Sequence, residues 1–134
     1  MKYITMNPFL RGALAIDAIA SGAMGIGLSA APGLLAGLFS LPAALLVYVG
    51  MFLIVYAAFV AWLALRQRPV SSLVWLVIIG NGIWVIASLA LIASGWVAPS
   101  VLGYAFVIVQ ALAVGVFAEL QFMGLRKSST AQVA

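Results

Sequence analysis

The sequence predicts an all-α integral membrane protein, a bundle of four transmembrane helices with both termini in the cytoplasm. Its 134 residues are 67% hydrophobic and only 6% charged, with a mean hydropathy of +1.31. Soluble domains carry about a quarter charged residues, and this chain folded in water would expose large apolar patches. The apolar runs are continuous rather than alternating, which favours helices over the strands of a membrane barrel.

The length of the apolar runs sets the domain organisation. A helix of about 20 apolar residues crosses the hydrocarbon core of a bilayer, so four spans and short connections use the whole chain as a single domain. A polar tail, 128–134, follows the last span. The predicted spans cover approximately residues 9–31, 43–65, 70–93 and 101–125.

The connection between the first two spans has unusual composition. Segment 33–41 lies between Pro32 and Pro42, and it is too short to cross a membrane yet too apolar for an ordinary loop. Proline disfavours helix at the residue before it, so each proline marks a boundary. We predict a short helix at 33–41, lying in the outer interface of the membrane.

The positions of the basic residues predict the orientation. All six lie outside the apolar spans or at their ends: Lys2, Arg11, Arg66, Arg68, Arg126 and Lys127. The connections 31–42 and 94–100 contain no charge. By the positive-inside rule, both termini and the basic turn face the cytoplasm, which predicts a multi-pass protein of the inner (plasma) membrane. These positions also explain the isoelectric point of 10.0 without a nucleic-acid partner.

Several chemistries lack their usual residues. The chain contains no histidine and no cysteine, which are the common ligands of haem, copper and zinc. No glycine-rich phosphate loop, zinc-protease motif or nucleophile elbow occurs. We therefore expect no enzyme activity, no metal and no cofactor.

The two acidic residues are the leading candidates for function, because both lie within predicted spans. Asp17 is about 9 Å beyond Arg11 along its helix, and Glu119 is about 10 Å before Arg126, so both occupy one level. A charged carboxylate in hydrocarbon costs at least about 2.5–3.5 kcal/mol. If the two carboxyl groups approach each other they can share one proton. The alternative is pairing with a basic residue of the same membrane edge, such as Arg11, Arg68 or Arg126.

Other intramembrane polar residues extend the candidate site for protons or solute. Ser21 lies one turn from Asp17 on the same face, and Asn81 and Gln110 lie about halfway through their spans. Asn81 and Gln110 can instead form a structural interhelical hydrogen bond, worth about 0.6 kcal/mol. On an ideal helix Gln110 aligns with Gln121, whereas Gln110 and Glu119 point about 180° apart. A continuous polar file through one chain is therefore not predicted. On the third span, Asn81, Trp84 and Ser88 share one face.

The side chains of the first two spans suggest how they pack. The first span is rich in small residues, with pairs such as Ser21 and Gly25 spaced for close helix contact, within the bundle or between subunits. The second span has one aromatic face, formed by Tyr48, Phe52, Tyr56, Phe59 and Trp62. That face is either a ridge that packs against the first span or a pocket wall. The pocket hypothesis groups Tyr48, Phe52, Tyr56 and Trp84.

In size, in number of spans and in carrying an acidic residue in the first span, the chain resembles the small multidrug-resistance exporters. That family has a glutamate where this chain has Asp17, and its other motifs are absent here. Two functions follow as hypotheses. The first is proton-coupled transport or binding of a small apolar or cationic solute, by a dimer or higher homo-oligomer in the lipid bilayer. The second is a non-catalytic scaffold or accessory subunit of a membrane complex, or a lipid- or quinone-binding module, with structurally paired carboxylates.

Overall fold

The computed structural model describes the backbone of residues 2–133 and the side chains of residues 2–128. Four of its five helices are long and apolar enough to cross a membrane, as predicted. Their ends lie within one residue of the predicted spans, except that α5 continues through the predicted polar tail. The helices are α1 (Pro8–Ala30), α2 (Pro32–Phe39), α3 (Ala43–Leu65), α4 (Ser71–Ala93) and α5 (Val101–Val133).

The start of α1 is held by a capping residue that also contacts α5. The side chain of Asn7 accepts a hydrogen bond from the amide of Leu10 at 2.8 Å, and Pro8 occupies the first turn. This arrangement satisfies an amide that has no partner within the helix. The Asn7 amide group also donates to the carbonyl oxygen of Gly124 at 3.0 Å. One side chain thus caps α1 and ties it to α5.

The proline-flanked segment forms the short helix α2, and its position in the membrane interface remains a prediction. Pro32 begins the helix, and Ser40 ends it in a left-handed conformation with φ of 52°. The ring of Phe39 stacks on Phe106 with centroids 4.5 Å apart. A Cβ atom at Gly103 would collide with the carbonyl oxygen of Phe39, so a glycine allows α2 to dock against the start of α5.

The helices pack in a chain of neighbours rather than in a closed square. Helix α1 packs extensively against α3 and also against α5, while α4 packs against α5. By contrast, α3 and α4 contact each other at few positions, although a short turn joins them. A seam therefore runs between α3 and α4, and two cavities lie along it.

Close contact between α1 and α3 confirms the packing role of the small residues. A Cβ atom on Gly25 would lie 2.8 Å from the carbonyl oxygen of Gly50, and one on Gly22 would lie 3.5 Å from the Ala57 Cβ. At these contacts, the α3 face that packs against α1 therefore carries small residues.

The aromatic face does not pack against α1 as a whole, since Tyr48 is 73% exposed and Phe52 55% exposed. Tyr56 and Phe59 do pack against a core cluster that includes residues of α1.

Both described termini and the basic turn meet at one end of the bundle. Backbone hydrogen bonds join Ile4 to Pro69 and Met6 to Gln67, and the hydroxyl of Ser128 donates to the carbonyl oxygen of Thr5. We call this the terminal end. Helix α2 and the connection between α4 and α5 form the opposite end, where Ser100 bonds to the carbonyl oxygen of Leu38.

The crossing of α1 and α3 predicts that Gly25→Ala destabilises the protein. The new methyl group would lie 2.8 Å from a backbone oxygen, which cannot move aside as a flexible side chain can. We expect a loss of about 1–3 kcal/mol in the free energy of unfolding, measured by denaturant titration in mixed micelles. Gly27→Ala, on the same helix with open space around it, is the matched control. Equal effects of the two substitutions would contradict the close crossing.

Candidate functional site

The centre of the bundle holds a buried carboxyl group surrounded by neutral side chains from all four long helices. Asp17 on α1 is 1% exposed. Its Oδ1 atom lies 3.1 Å from the Ser21 hydroxyl, and its Oδ2 atom lies 2.8–2.9 Å from the Tyr56 hydroxyl, the Asn81 amide nitrogen and the Gln121 amide nitrogen. We call these five residues the Asp17 cluster.

The partners of Asp17 are also bonded to one another. The Asn81 amide nitrogen donates to the Gln121 Oε1 atom at 3.0 Å, and the Tyr56 hydroxyl lies 2.9 Å from the Asn81 Oδ1 atom. Asn81 is 5% exposed and Gln121 is fully buried. Buried polar groups require such partners, because an unsatisfied one costs about 1–3 kcal/mol. The cluster therefore holds α1, α3, α4 and α5 in one register.

The basic residue nearest to Asp17 along α1 has a different role. The Arg11 Nε atom donates to the carbonyl oxygen of Ala64 at 2.9 Å, near the C-terminal end of α3. A cation at this position complements the negative end of the helix dipole. All four described hydrogen-bond partners of Asp17 are uncharged, so the structure does not form the predicted alternative of an Asp17–Arg11 pair.

Glu119 lies apart from the cluster. It is exposed, and it precedes the buried Gln121 by two residues, which places it about 200° away around α5. Leu112, Val116 and Met123 share this exposed face. The structure thus keeps the two carboxylates apart within one chain, against the expectation of an Asp17–Glu119 pair. Equal depth along two helices does not imply that their side chains point towards each other.

Gln110 forms a second, separate group of polar contacts. The Trp84 indole nitrogen donates to the Gln110 Oε1 atom at 2.8 Å, and the Gln110 amide nitrogen donates to the Ser88 hydroxyl at 3.0 Å. Gln110 and Gln121 are both buried, which confirms their predicted alignment on one face of α5. Asn81 bonds to Gln121 on α5, as Trp84 and Ser88 bond to Gln110, which confirms that the three residues share one face of α4. Gln110 does not, however, belong to the Asp17 cluster.

A cavity of about 280 Å³ lies in the seam between α3 and α4, beside the Asp17 cluster. Its polar edge is formed by Ser21, Tyr56 and Asn81, and much of its wall is aromatic. The Phe52 ring stacks on Tyr56 at 6.2 Å and on Trp84 at 6.0 Å. We call this space the cluster cavity. Asp17 and Gln121 do not line it, and they lie behind the side chains that do.

The predicted aromatic wall is partly reproduced. Phe52, Tyr56 and Trp84 line the cluster cavity, whereas Tyr48 is 73% exposed and lies outside it. Tyr48 is two helical turns from Tyr56, so it shares the helix face but not the depth of the cavity. Trp84 also borders a second cavity of about 260 Å³ nearer the opposite end.

Two contributions to the site were missed from the sequence. Gln121 was recognised only as aligned with Gln110, and Tyr56 only as an aromatic ring. The depth of Gln121 in its span was an available signal, because a buried amide in lipid needs a partner. Among the described residues, no three histidine, cysteine, aspartate or glutamate side chains gather, so the cluster offers a single carboxylate to an ion.

Comparisons with known proteins add no assignment. No family model matches the chain, and no curated protein or solved structure matches it. The resemblance to the small multidrug-resistance exporters therefore remains one of layout. Any function must be inferred from the side chains of the site.

The cluster geometry predicts different effects for two substitutions on α5. Gln121→Leu removes the donor to Asp17 and the acceptor for Asn81, so we expect a loss of about 1–3 kcal/mol in the free energy of unfolding. Glu119→Leu, two residues away, removes an exposed side chain with no described partner, and it should not destabilise the protein. Denaturant titration in micelles measures both. A larger loss for Glu119→Leu would contradict this account of the cluster.

Proposed function

We propose that the protein is a multi-pass protein of the inner (plasma) membrane that binds a small hydrophobic or amphipathic molecule in the cluster cavity. The observation that carries this proposal is the aromatic cavity of about 280 Å³ whose polar edge is tied to the buried Asp17. Ligand pockets are mostly apolar, with a few well-placed polar groups that fix orientation.

The proposed orientation puts the terminal end in the cytoplasm. Lys2, Arg66, Arg68 and Lys127 lie at this end, whereas the connections at the opposite end carry no charge. The positive-inside rule supports cytoplasmic termini from this asymmetry. Helix α2 then lies at the outer interface, where its apolar residues contact the acyl chains.

The seam between α3 and α4 supports entry from the lipid. These two helices have few contacts, so the cavity wall is thinnest between them. A molecule dissolved in the bilayer can place its apolar part against Phe52, Phe59 and Trp84. Its polar group then meets Tyr56 and Asn81 at the polar edge. This arrangement suits a ligand with one polar group on an apolar body better than a strongly hydrated solute.

Proton-coupled transport of such a molecule is the more specific form of the proposal. Tyr56 both lines the cavity and contacts Asp17, so a bound molecule lies one side chain away from the carboxyl group. Four helices make a narrow path, and a transporter of this size would act as a dimer or a larger homo-oligomer.

The cavity can be tested with a single introduced cysteine, because the chain contains none. Gly80 lines the cavity, and a Cβ atom there would have nothing within 4 Å. We expect 4-octylphenol, a neutral amphipath, to slow modification of Gly80→Cys by methyl methanethiosulfonate. At ten times the dissociation constant, the rate should fall about tenfold, because only the empty cavity reacts.

Ile86→Cys is the matched control on the same helix. Ile86 is 70% exposed and does not line the cavity, so its rate should not depend on the probe. Equal slowing at both positions would indicate a general effect of the amphipath on the micelle. If neither rate changes, or if both change alike, binding of this class of molecule in the cluster cavity is rejected.

A role as an accessory subunit or homo-oligomer is a second candidate, favoured by Glu119. This residue is exposed within a membrane-spanning helix, where a charged side chain facing lipid costs about 2.5–3.5 kcal/mol. A second protein chain that covers the Glu119 face would remove the carboxyl group from lipid contact. The same face carries Leu112, Val116 and Met123, which supply apolar area for helix contact.

The assembly role predicts that Glu119→Gln changes the oligomeric state. If Glu119 bonds to a neighbouring copy, loss of its charge should reduce the fraction of dimers or larger assemblies, measured by native mass spectrometry from mild detergent. Ile19→Gln, on an exposed position of α1, serves as a control for added polarity. If Glu119→Gln leaves the distribution of oligomeric states unchanged, copies of the protein do not contact each other at this face. Purification from the native membrane then tests contact with a different protein.

A further inference from the structure

Three oxygen atoms of the Asp17 cluster form a row in which each atom lies within hydrogen-bond distance of the next. The Tyr56 hydroxyl oxygen is 2.8 Å from the Asp17 Oδ2 atom and 2.9 Å from the Asn81 Oδ1 atom. Both distances are typical of O–H···O hydrogen bonds, and each such bond requires one proton between its oxygens. The phenol carries a single proton, and a carboxylate and an amide carbonyl carry none. One contact of the row thus has no proton if Asp17 is ionised.

Turning the amide groups does not supply the missing proton. If Asn81 is flipped, its nitrogen donates to Tyr56, but its oxygen then faces both the Asp17 Oδ2 atom and the Gln121 Oε1 atom. If Gln121 is flipped as well, two amide oxygens point at the same carboxylate oxygen. Every flipped arrangement leaves more contacts without a proton than the original arrangement does.

From this count we infer that Asp17 is the proton-binding residue of the membrane domain and holds its proton on Oδ2, where it donates to the Tyr56 hydroxyl oxygen. The Tyr56 hydroxyl then donates to the Asn81 Oδ1 atom, and both contacts in the row are complete. The Asn81 and Gln121 amides still donate to Oδ2, and Ser21 still donates to Oδ1. No other oxygen of the row can carry the proton at neutral pH.

The surroundings of Asp17 agree with a neutral carboxyl group. On α1 the nearest charged residue is Arg11, which bonds to the end of α3, and on α3 the facing titratable residue is Tyr56 itself. Helix α4 contributes the neutral Asn81. On α5 the facing residue is Gln121, while Glu119 points outward. With no cation bonded to Asp17, an ionised form would leave in an apolar interior a charge that is offset only by hydrogen bonds from neutral side chains.

This proton belongs to the same cluster that borders the proposed ligand cavity, but it does not require that a ligand binds. Tyr56 contacts Asp17 and lines the cavity, so it is the side chain through which a bound molecule would act on the proton. The proton-binding unit is therefore Asp17 with Tyr56 and Asn81, in place of two carboxylates sharing one proton. Tyr56 and Asn81 act as positioning residues for the carboxyl group.

Infrared spectroscopy tests the inference on the intact wild-type protein, because Asp17 is the single aspartate of the chain. Protein produced with aspartate labelled by carbon-13 at the side-chain carboxyl carries the label at one position. At neutral pH in detergent, we expect the carbonyl stretching band of a protonated carboxyl group to shift to lower frequency on labelling. Asp17→Asn should remove this band, and Glu119→Gln should retain it. Tyr56→Phe should retain the band and raise its frequency, because one hydrogen bond is lost.

The two possible results of the labelling are clearly separated. If the carbonyl stretching band of a protonated carboxyl group shifts on labelling at neutral pH, Asp17 is protonated. This result does not require that the Asp17→Asn variant folds. A label-sensitive band found only at the lower frequencies of an ionised carboxylate overturns the inference. The spectrum does not depend on the cysteine-protection experiment, so the ligand proposal can fail while the protonated Asp17 stands, and the reverse is equally possible.

Discussion

A polar side chain buried among apolar helices must find its partners within the protein, and Asp17 imposes this requirement on every long helix of the bundle. Lipid supplies no hydrogen bonds, so each unpaired polar group raises the free energy of the folded state. Ser21 from α1, Tyr56 from α3, Asn81 from α4 and Gln121 from α5 meet the requirement together. Sliding or rotating any one helix breaks a contact, so the cluster selects one arrangement of the bundle.

Close packing of α1 on α3 determines where the remaining space lies. Gly25 and Gly50 let the two backbones approach, so α1 covers the face of α3 that carries small residues. The aromatic face of α3 is therefore directed towards the seam with α4. Helix α4 meanwhile packs against α5 rather than α3. Large aromatic rings thus line an opening instead of filling a core. The same glycines that hold the bundle together account for the cavity beside the cluster.

The helices were predictable from the sequence, whereas the partners of each polar residue were not. Apolar length and proline positions depend on neighbouring residues along the chain, and they located α1, α3 and α4 to within one residue. The fit of Asp17 to Gln121 depends on how two distant helices are rotated about their axes. Small residues indicated that α1 makes close contacts, and they left open whether its partner lies within the bundle or in another subunit. The common face of Gln110 and Gln121 was predictable from spacing along one helix, whereas the direction of a side chain relative to the other helices was not.

The two acidic residues show why direction matters more than depth for function. Helix spacing places Asp17 and Glu119 at one level, and this predicts that the two carboxyl groups can share one proton. The rotation of α5 instead directs Gln121 inward and Glu119 outward, since two residues turn the helix by about 200°. An inward carboxyl group with complete hydrogen bonding suits the retention of a proton beside a cavity. An outward one has no internal partner, so it suits contact with another protein chain. The rotation of α5 therefore places the two acidic residues in different surroundings, with Asp17 beside the seam and Glu119 on the surface of α5.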